Sequence, residues 1–283
     1  MTIYSRFKRA SQLYADKVRE HAKRRQMERI FGKALANHEF CVWYQPKHDM
    51  RTGEICGAEA LVRWEKENGE IISPAQFIPE FEKTGQIIAL DEEVLRIVCR
   101  DIREAKKEGT DMSPVSVNLS KVNILGRETA LRIRRITQEC DIRAGELSFE
   151  ITESTAVSHD KEDMDELVDS LHEMGFQVDM DDYGTGSSTL KSLADTHFDT
   201  LKLDRSFISL IGSPKMDTIV RSTIHMVEEL HMNVVAEGVE TQEQVKFLLE
   251  NQCFTAQGYY FSRPLTGKAY RERRAHKQRE GSA

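Results

Sequence analysis

Eight short runs with strand character alternate with helical stretches between residues 40 and 257, and this alternation decides what the chain can fold into. The runs are 40–45, 54–63, 115–119, 147–152, 176–181, 199–203, 233–237 and 254–257. Amphipathic patterns near 74–83, 87–108, 121–138, 160–174, 187–194, 215–230 and 241–251 lie between most of them. Strand and helix units in series imply a mostly parallel sheet. Eight strands suit a TIM-like (β/α)8 barrel of the α/β class better than a doubly wound sheet, since such barrels take ~250 residues. A short turn, 48–53, joins the first two runs, a connection too short for a parallel crossover. It predicts a hairpin, and so a barrel whose first strand is antiparallel.

Outside these units the composition changes. Residues 1–35 carry ten Lys or Arg against three acids, 268–283 carry six against two, and 36–267 carry 24 against 42. A strongly acidic body thus lies between two basic ends. The spacing of Phe7, Leu13, Val18, Met27, Ile30, Phe31 and Leu35 predicts an N-terminal helix over 7–36, read as a connection to an upstream sensory or cyclase domain. The organisation expected is a basic helix or linker over 1–29, a barrel domain over 30–266 and a basic tail over 267–283. An acidic body repels phosphate backbones, so no sequence-specific nucleic acid partner is expected. No run reaches the ~18 to 20 apolar residues of a membrane span, and the first thirty residues lack the apolar centre of a signal peptide. A cytoplasmic location is the expectation. Cys41, Cys56, Cys99, Cys140 and Cys253 form no CxxC pair, which argues against a disulfide framework or a zinc knuckle.

Polar residues gather at the strand ends: Glu59, Asn118, Glu150 with Glu153, Asp181 with Asp182, Lys202 with Asp204, Glu237 with Glu240, and Gln257. In a barrel, such groups on different strands converge on one face. A lone strand-end acid reads as a helix cap or half of a surface ion pair. Repetition in register across successive units is what points to a site. Carboxylates in apolar strands need cations, and oxygen donors without His or Cys favour a hard divalent ion such as Mg²⁺ or Mn²⁺. The neighbours Asp181 and Asp182 can each face a different ion. Two ions clamp the attacking and leaving oxygens of a phosphoryl displacement, so the chemistry that fits is phosphoester hydrolysis, with Lys202 neutralising developing charge or holding the attacking water. No phosphate-cradling GxxxxGK[ST], no GxSxG elbow and no HxxxH pair is present.

The same residues carry a resemblance. Tyr44-Gln45-Pro46, Gly57-Ala58-Glu59-Ala60-Leu61-Val62-Arg63-Trp64, Val117-Asn118-Leu119-Ser120 and Phe149-Glu150-Ile151-Thr152-Glu153-Ser154 are followed by Asp181-Asp182-Tyr183-Gly184-Thr185-Gly186. Next come Leu201-Lys202-Leu203-Asp204-Arg205-Ser206-Phe207, Ala236-Glu237-Gly238-Val239-Glu240-Thr241 and Gln257-Gly258-Tyr259. In this order they resemble the EAL domain of cyclic di-GMP phosphodiesterases over roughly residues 30–266. The resemblance implies hydrolysis of cyclic di-GMP to linear pGpG with two Mg²⁺ or Mn²⁺ ions. It implies that Glu59, Asn118, Glu150 and Asp181 bind one metal and Asp181 with Asp182 the other. Glu237 resembles a general base or metal-associated acid, Lys202 the residue that orients the hydrolytic water, and Gln257 a water-holding or second-metal residue. The resemblance makes Glu237, Lys202 and Glu59 the catalytic set. The resemblance puts Gln45, Leu61 and Arg63, with Asp204 and Glu240 of the same motifs, on the substrate side. A guanidinium fork at Arg63 suits phosphate. Glu153 matches an acid that anchors the loop 182–188, which the resemblance couples to homodimer formation. An alternative is a receptor that binds cyclic di-GMP and signals without hydrolysing it; the unsubstituted ligand and catalytic positions favour the enzyme.

Overall fold

Along several of the strands, apolar residues alternate with polar ones, and this period of two sets which side chains enter the barrel. On one strand Leu201 and Leu203 flank Lys202; on another Phe149 and Ile151 flank Glu150. The apolar set packs under the helices, and the polar set converges on the barrel axis.

The computed structural model describes residues 22–280 except 113, 159–160 and 185–189. A helix over 22–36 (α1) leads into β1 (Phe40–Asp49), β2 (Ile55–Glu65) and the short β3 (Ile71–Ile72). Helices α2 (Pro74–Thr84) and α3 (Ile87–Lys107) precede β4 (Val115–Asn118), α4 (Arg127–Glu139) and β5 (Leu147–Thr152). The chain continues through α5 (Glu153–Ser158), α6 (Lys161–Glu173), β6 (Gln177–Tyr183), α7 (Leu190–Asp195) and β7 (Thr200–Leu203). It ends with α8 (Arg205–Ile208), α9 (Pro214–Glu229), β8 (Asn233–Glu237), α10 (Gln242–Glu250), β9 (Thr255–Gln257), β10 (Leu265–Thr266) and α11 (Gly267–Glu280).

Strands β1, β2, β4, β5, β6, β7, β8 and β9 pair in that order, and β9 returns to β1 to close the ring. Pairings from β2 round to β9 are parallel, whereas β1 is antiparallel to both neighbours. This is the expected TIM-like (β/α)8 barrel with an antiparallel first strand. The short β3 and β10 extend the sheet beside β2 and β1. Strand β1 continues to Asp49 rather than stopping at 45, because Lys47 and His48, polar enough to read as a turn, are buried strand residues.

The outward faces of the barrel, including Val117, Phe149, Val178 and Leu201, join Leu95, Val98 and Ile102 of α3 in one buried cluster. Each such side chain contributes ~1.5 to 3 kcal/mol of transfer free energy on burial. Phe31 of α1 sits among Phe40, Phe77 and Phe81, and its ring is 5.2 Å from that of Phe81, so α1 is tied to β1 and α2. Part of the N-terminal helix expected over 7–36, namely 7–21, lies outside the described residues. The basic residues beyond 267 form α11, with Tyr270 buried on Tyr44 at 5.5 Å. Arg271 of α11 pairs with Glu108 at 3.4 Å and with Asp101 at 3.8 Å, so basic charge at this end is matched by acids of and beside α3. No helix among the described residues is long and apolar enough to cross a membrane.

Candidate active site

Strand register assembles the polar cluster. Gln45 lies opposite Glu59 across β1 and β2, Asn118 beside Glu150 across β4 and β5, Thr152 beside Asp181 across β5 and β6, and Glu237 beside Gln257 across β8 and β9. At the centre Lys202 is fully buried. Its Nζ lies 2.7 Å from Glu150, 2.9 Å from Asp181, 2.9 Å from Glu237 and 3.3 Å from Glu59. Gln257 donates from Nε2 to Glu59 at 2.7 Å and to Glu237 at 2.8 Å, and Asn118 donates to Glu59 at 3.1 Å.

Two carboxylate triads emerge, Glu59-Glu150-Asp181 and Asp181-Asp182-Glu237, each with oxygens mutually within 4.8 Å. They share Asp181. Consecutive residues of a regular strand point to opposite faces, so Asp181 and Asp182 need a local irregularity to serve one site. The β6–β7 register shifts between Met180 and Tyr183, and Asp182 has φ +57°, uncommon for a residue with a Cβ. The Asp182 amide donates to Asp181 Oδ1 at 2.8 Å. Just beyond, Glu153 Oε2 accepts from the Gly184 amide at 2.9 Å. Gly184 has φ +97°, and a Cβ there would lie 1.7 Å from the Phe207 ring, so only glycine fits the backbone that Glu153 holds. The rest of the expected loop, including Gly186, lies outside the described residues.

So many acids in one interior volume alter their proton affinities. Burial, reinforced by neighbouring carboxylates, raises the pKa of Glu59; burial likewise raises Asp181, Asp182 and Glu237 against the pull of Lys202. Burial would lift Glu150 too, but the ammonium groups of Lys202 and Lys47 overcome it and hold Glu150 at about 2. Burial opposes the charge on Lys202, yet the surrounding carboxylates keep its pKa well above the ordinary lysine value.

A cavity of about 430 Å³ opens beside this cluster, lined in part by Leu61, Arg63, Asn118 and Asp91. Arg63 is half-buried, its guanidinium 5.6 Å over the Trp43 ring, with Nη1 donating to the Val62 carbonyl at 2.8 Å. Gln45 is buried and donates to the Ser262 carbonyl at 3.0 Å. Asp204 caps α8 by accepting from the Ser206 amide at 2.8 Å, and the exposed Glu240 accepts from Arg205 at 2.8 Å. The structure thus gathers Glu59, Asn118, Glu150, Asp181, Asp182, Lys202, Glu237 and Gln257 into one cluster. It gives Asp204 and Glu240 other partners, the start of α8 and Arg205.

Residues 28–264 match the model of the EAL domain family. The chain belongs to that family. It is 39% identical over 249 residues to the cyclic di-GMP phosphodiesterase NbdA of Pseudomonas aeruginosa, covering 87% of this chain and 32% of that protein. It is 34% identical over 240 residues to the probable cyclic di-GMP phosphodiesterase PdeG of Escherichia coli, covering 84% of this chain and 47% of the relative. The chain therefore spans less than half the length of these relatives. Among solved structures, the c-di-GMP complex of the PaMucR phosphodiesterase superposes with a TM-score of 0.79 at 32% identity, covering 86% of this chain and 99% of that one.

Two groups of this EAL domain stand out only in three dimensions. Lys47 reaches into the barrel to Ser116 Oγ at 2.8 Å and Glu150 Oε1 at 3.0 Å. Asp91 of α3 accepts from the amide and hydroxyl of Ser120 and from Asn123, and burial lifts its pKa to about 6. A signal existed for each. Lys47 lies two residues from Gln45 on the same strand face, and Asp91 interrupts the apolar face formed by Ile87, Leu90, Val94 and Leu95.

Proposed function

We propose that this EAL domain hydrolyses cyclic di-GMP to linear pGpG with two divalent cations, Mg²⁺ or Mn²⁺. The observation that carries the reading is the pair of carboxylate triads joined at Asp181. The donor set fits hard cations: every triad ligand is an oxygen. Among the described residues, Gln257 Oε1 is buried and accepts no hydrogen bond, as suits an oxygen meant for a cation or its water. Glu59, Asn118, Glu150 and Asp181 would hold one ion; Asp181 and Asp182 would hold the other, beside Glu237 and Gln257. Bound there, the ions would supply Lewis acidity and neutralise charge at the reacting phosphate.

The chain's own residues do the rest. Glu237, whose raised pKa makes it the stronger proton acceptor, takes a proton from the attacking water. Lys202 keeps its ammonium among the carboxylates, where it can donate to that water and oppose charge growing on phosphorus. The water oxygen forms a bond to phosphorus as one bond from phosphorus to a ribose 3′ oxygen breaks, and the proton leaves with that oxygen. Arg63 reads phosphate, while Leu61 and Gln45 border the cyclic dinucleotide; Asp204 and Glu240 shape the rim through α8 and Arg205. Glu153 fixes the loop after β6, and in a homodimer that loop would carry contact between protomers to Asp182. An upstream sensory or cyclase domain fits a chain that spans only part of its relatives.

Removal of one ligand tests the assignment. Glu59→Ala and Asp181→Asn are each expected to lower kcat by at least about a hundredfold, toward background. Wild-type turnover in either would refute it.

A further inference from the structure

Glu150 is the most enclosed acid of the cluster, with no exposed surface, and its two oxygens have different keepers. Oε2 accepts from Lys202 at 2.7 Å, but that ammonium also serves Glu59, Asp181 and Glu237. Oε1 accepts from Lys47 at 3.0 Å. Lys47 approaches from the other side of the barrel, on the antiparallel β1, and is itself fixed by donating to Ser116 Oγ at 2.8 Å. Burial would discharge Lys47, yet the negative field of Glu150 and Asp179 keeps it charged. Ser148 donates to Asp179 at 3.0 Å, so a buried polar layer of Lys47, Ser116, Ser148 and Asp179 lies alongside the carboxylate cluster.

We infer that Lys47 is a positioning residue that orients Glu150 for metal binding. A carboxylate pinned by two ammonium groups on separate oxygens cannot rotate about its last torsion, and charge-assisted bonds of this length are the strong ones. Lys202 is shared by four acids and is proposed to act on water. Lys47 has Glu150 as its one ion pair among the described residues, and so can hold it throughout the reaction. Metal sites commonly depend on such outer partners to aim their ligands. The inference rests on the proposed metal site and adds a residue to its support.

The test compares the purified full chain with Lys47→Met and Ser116→Ala, measuring Mn²⁺ affinity by calorimetry, melting temperature, and kcat and KM for cyclic di-GMP. Folded Lys47→Met is expected to bind Mn²⁺ about 10 to 100 times more weakly than wild type. Its kcat should fall while KM at saturating Mn²⁺ stays within about twofold, because Lys47 acts through a metal ligand rather than on the substrate. Ser116→Ala removes a hydroxyl that steadies Lys47 and that also bonds Glu150 and the Ala58 carbonyl, and it should weaken Mn²⁺ several-fold in the same direction. If Lys47→Met does not fold, Lys47→Gln, which keeps a buried donor toward Ser116 and Glu150 without the charge, carries the test with the same expected weakening of Mn²⁺ binding. Unchanged or tighter Mn²⁺ binding in the folded variants overturns the positioning role. A wild-type chain that binds no Mn²⁺ instead overturns the metal site itself, and this inference with it.

Discussion

Glu237 combines three properties that a proton acceptor needs: it belongs to the second carboxylate triad, it is held by Gln257, and burial raises its pKa. Its amide analogue keeps the shape and the Gln257 contact surface while losing the charge. Glu237→Gln is therefore expected to lower kcat by about 10² to 10⁴-fold with cyclic di-GMP binding largely retained, read by turnover and by equilibrium binding. An unchanged kcat would remove Glu237 from the reaction. The acids of this site were legible as residues because each breaks an apolar strand. Lys47 was not, because a barrel site is marked by polar groups at the ends of parallel strands and Lys47 lies within the antiparallel β1. On a strand that runs backwards, the residue that supports Glu150 follows Gln45 and Pro46, where it reads as the start of a turn. Asp182 shows a second limit: the motif names both aspartates, but the register shift that lets both serve one site is a property of β6 paired with β7.

Among the elements, the parallel strands and their long helices follow directly from periodicity, since β-branched and apolar runs of this length have few alternatives. The short pieces do not. Helices α5 and α8 are single turns that begin at Glu153 and just after the capping Asp204, and β3 and β10 each contain two residues, too short for any period to show. The tight joint between β9 and β8 yields a test at this scale. A Cβ on Gly258 would lie 2.2 Å from the Val239 carbonyl oxygen and 2.3 Å from its nitrogen, both backbone atoms that cannot swing away. Gly258→Ala must push β9 outward and carry Gln257 from Glu59 and Glu237. It is expected to cost on the order of 1 to 3 kcal/mol of stability and to reduce turnover as well. Thermal melting and an activity assay check this; a melt and a rate equal to wild type would mean that the strand is not held as described.

Over the whole molecule, the acidic excess has a destination and so does part of the basic one. Arg271 of α11 spends its charge on α3, and five carboxylates face one interior site that also holds Lys202. The consequence is a stability that depends on pH and on cations in opposite senses. Folding raises the pKa of Glu59, Asp181 and Glu237, so the folded chain keeps protons there that the unfolded chain releases. Stability from these groups therefore falls as pH climbs from the ordinary carboxylate range through the raised values. Glu150, held at about 2, has the opposite sign: its contribution is present above the ordinary range and fades as pH drops toward 2. With chelator present, the melting temperature is expected to decline as pH climbs above the ordinary carboxylate range, where the raised acids Glu59, Asp181, Asp182 and Glu237 outweigh Glu150. Mn²⁺ at a hundredfold excess over its Kd should add about 2.7 kcal/mol and flatten the decline. A melt indifferent to both chelator and Mn²⁺ would contradict a cation site at the triads.

The same charge balance bears on the substrate. On the proposed reading, a cyclic dinucleotide with two phosphates would be repelled by the acids and attracted only once divalent cations join Arg63 and Lys202 in reversing the sign of the site. The decisive measurement is chromatographic: purified chain is incubated with cyclic di-GMP and Mg²⁺ or Mn²⁺, and linear pGpG is sought with and without excess chelator. The account predicts steady pGpG formation that chelator stops. Cyclic di-GMP bound tightly yet recovered intact would contradict it and leave a receptor in place of an enzyme.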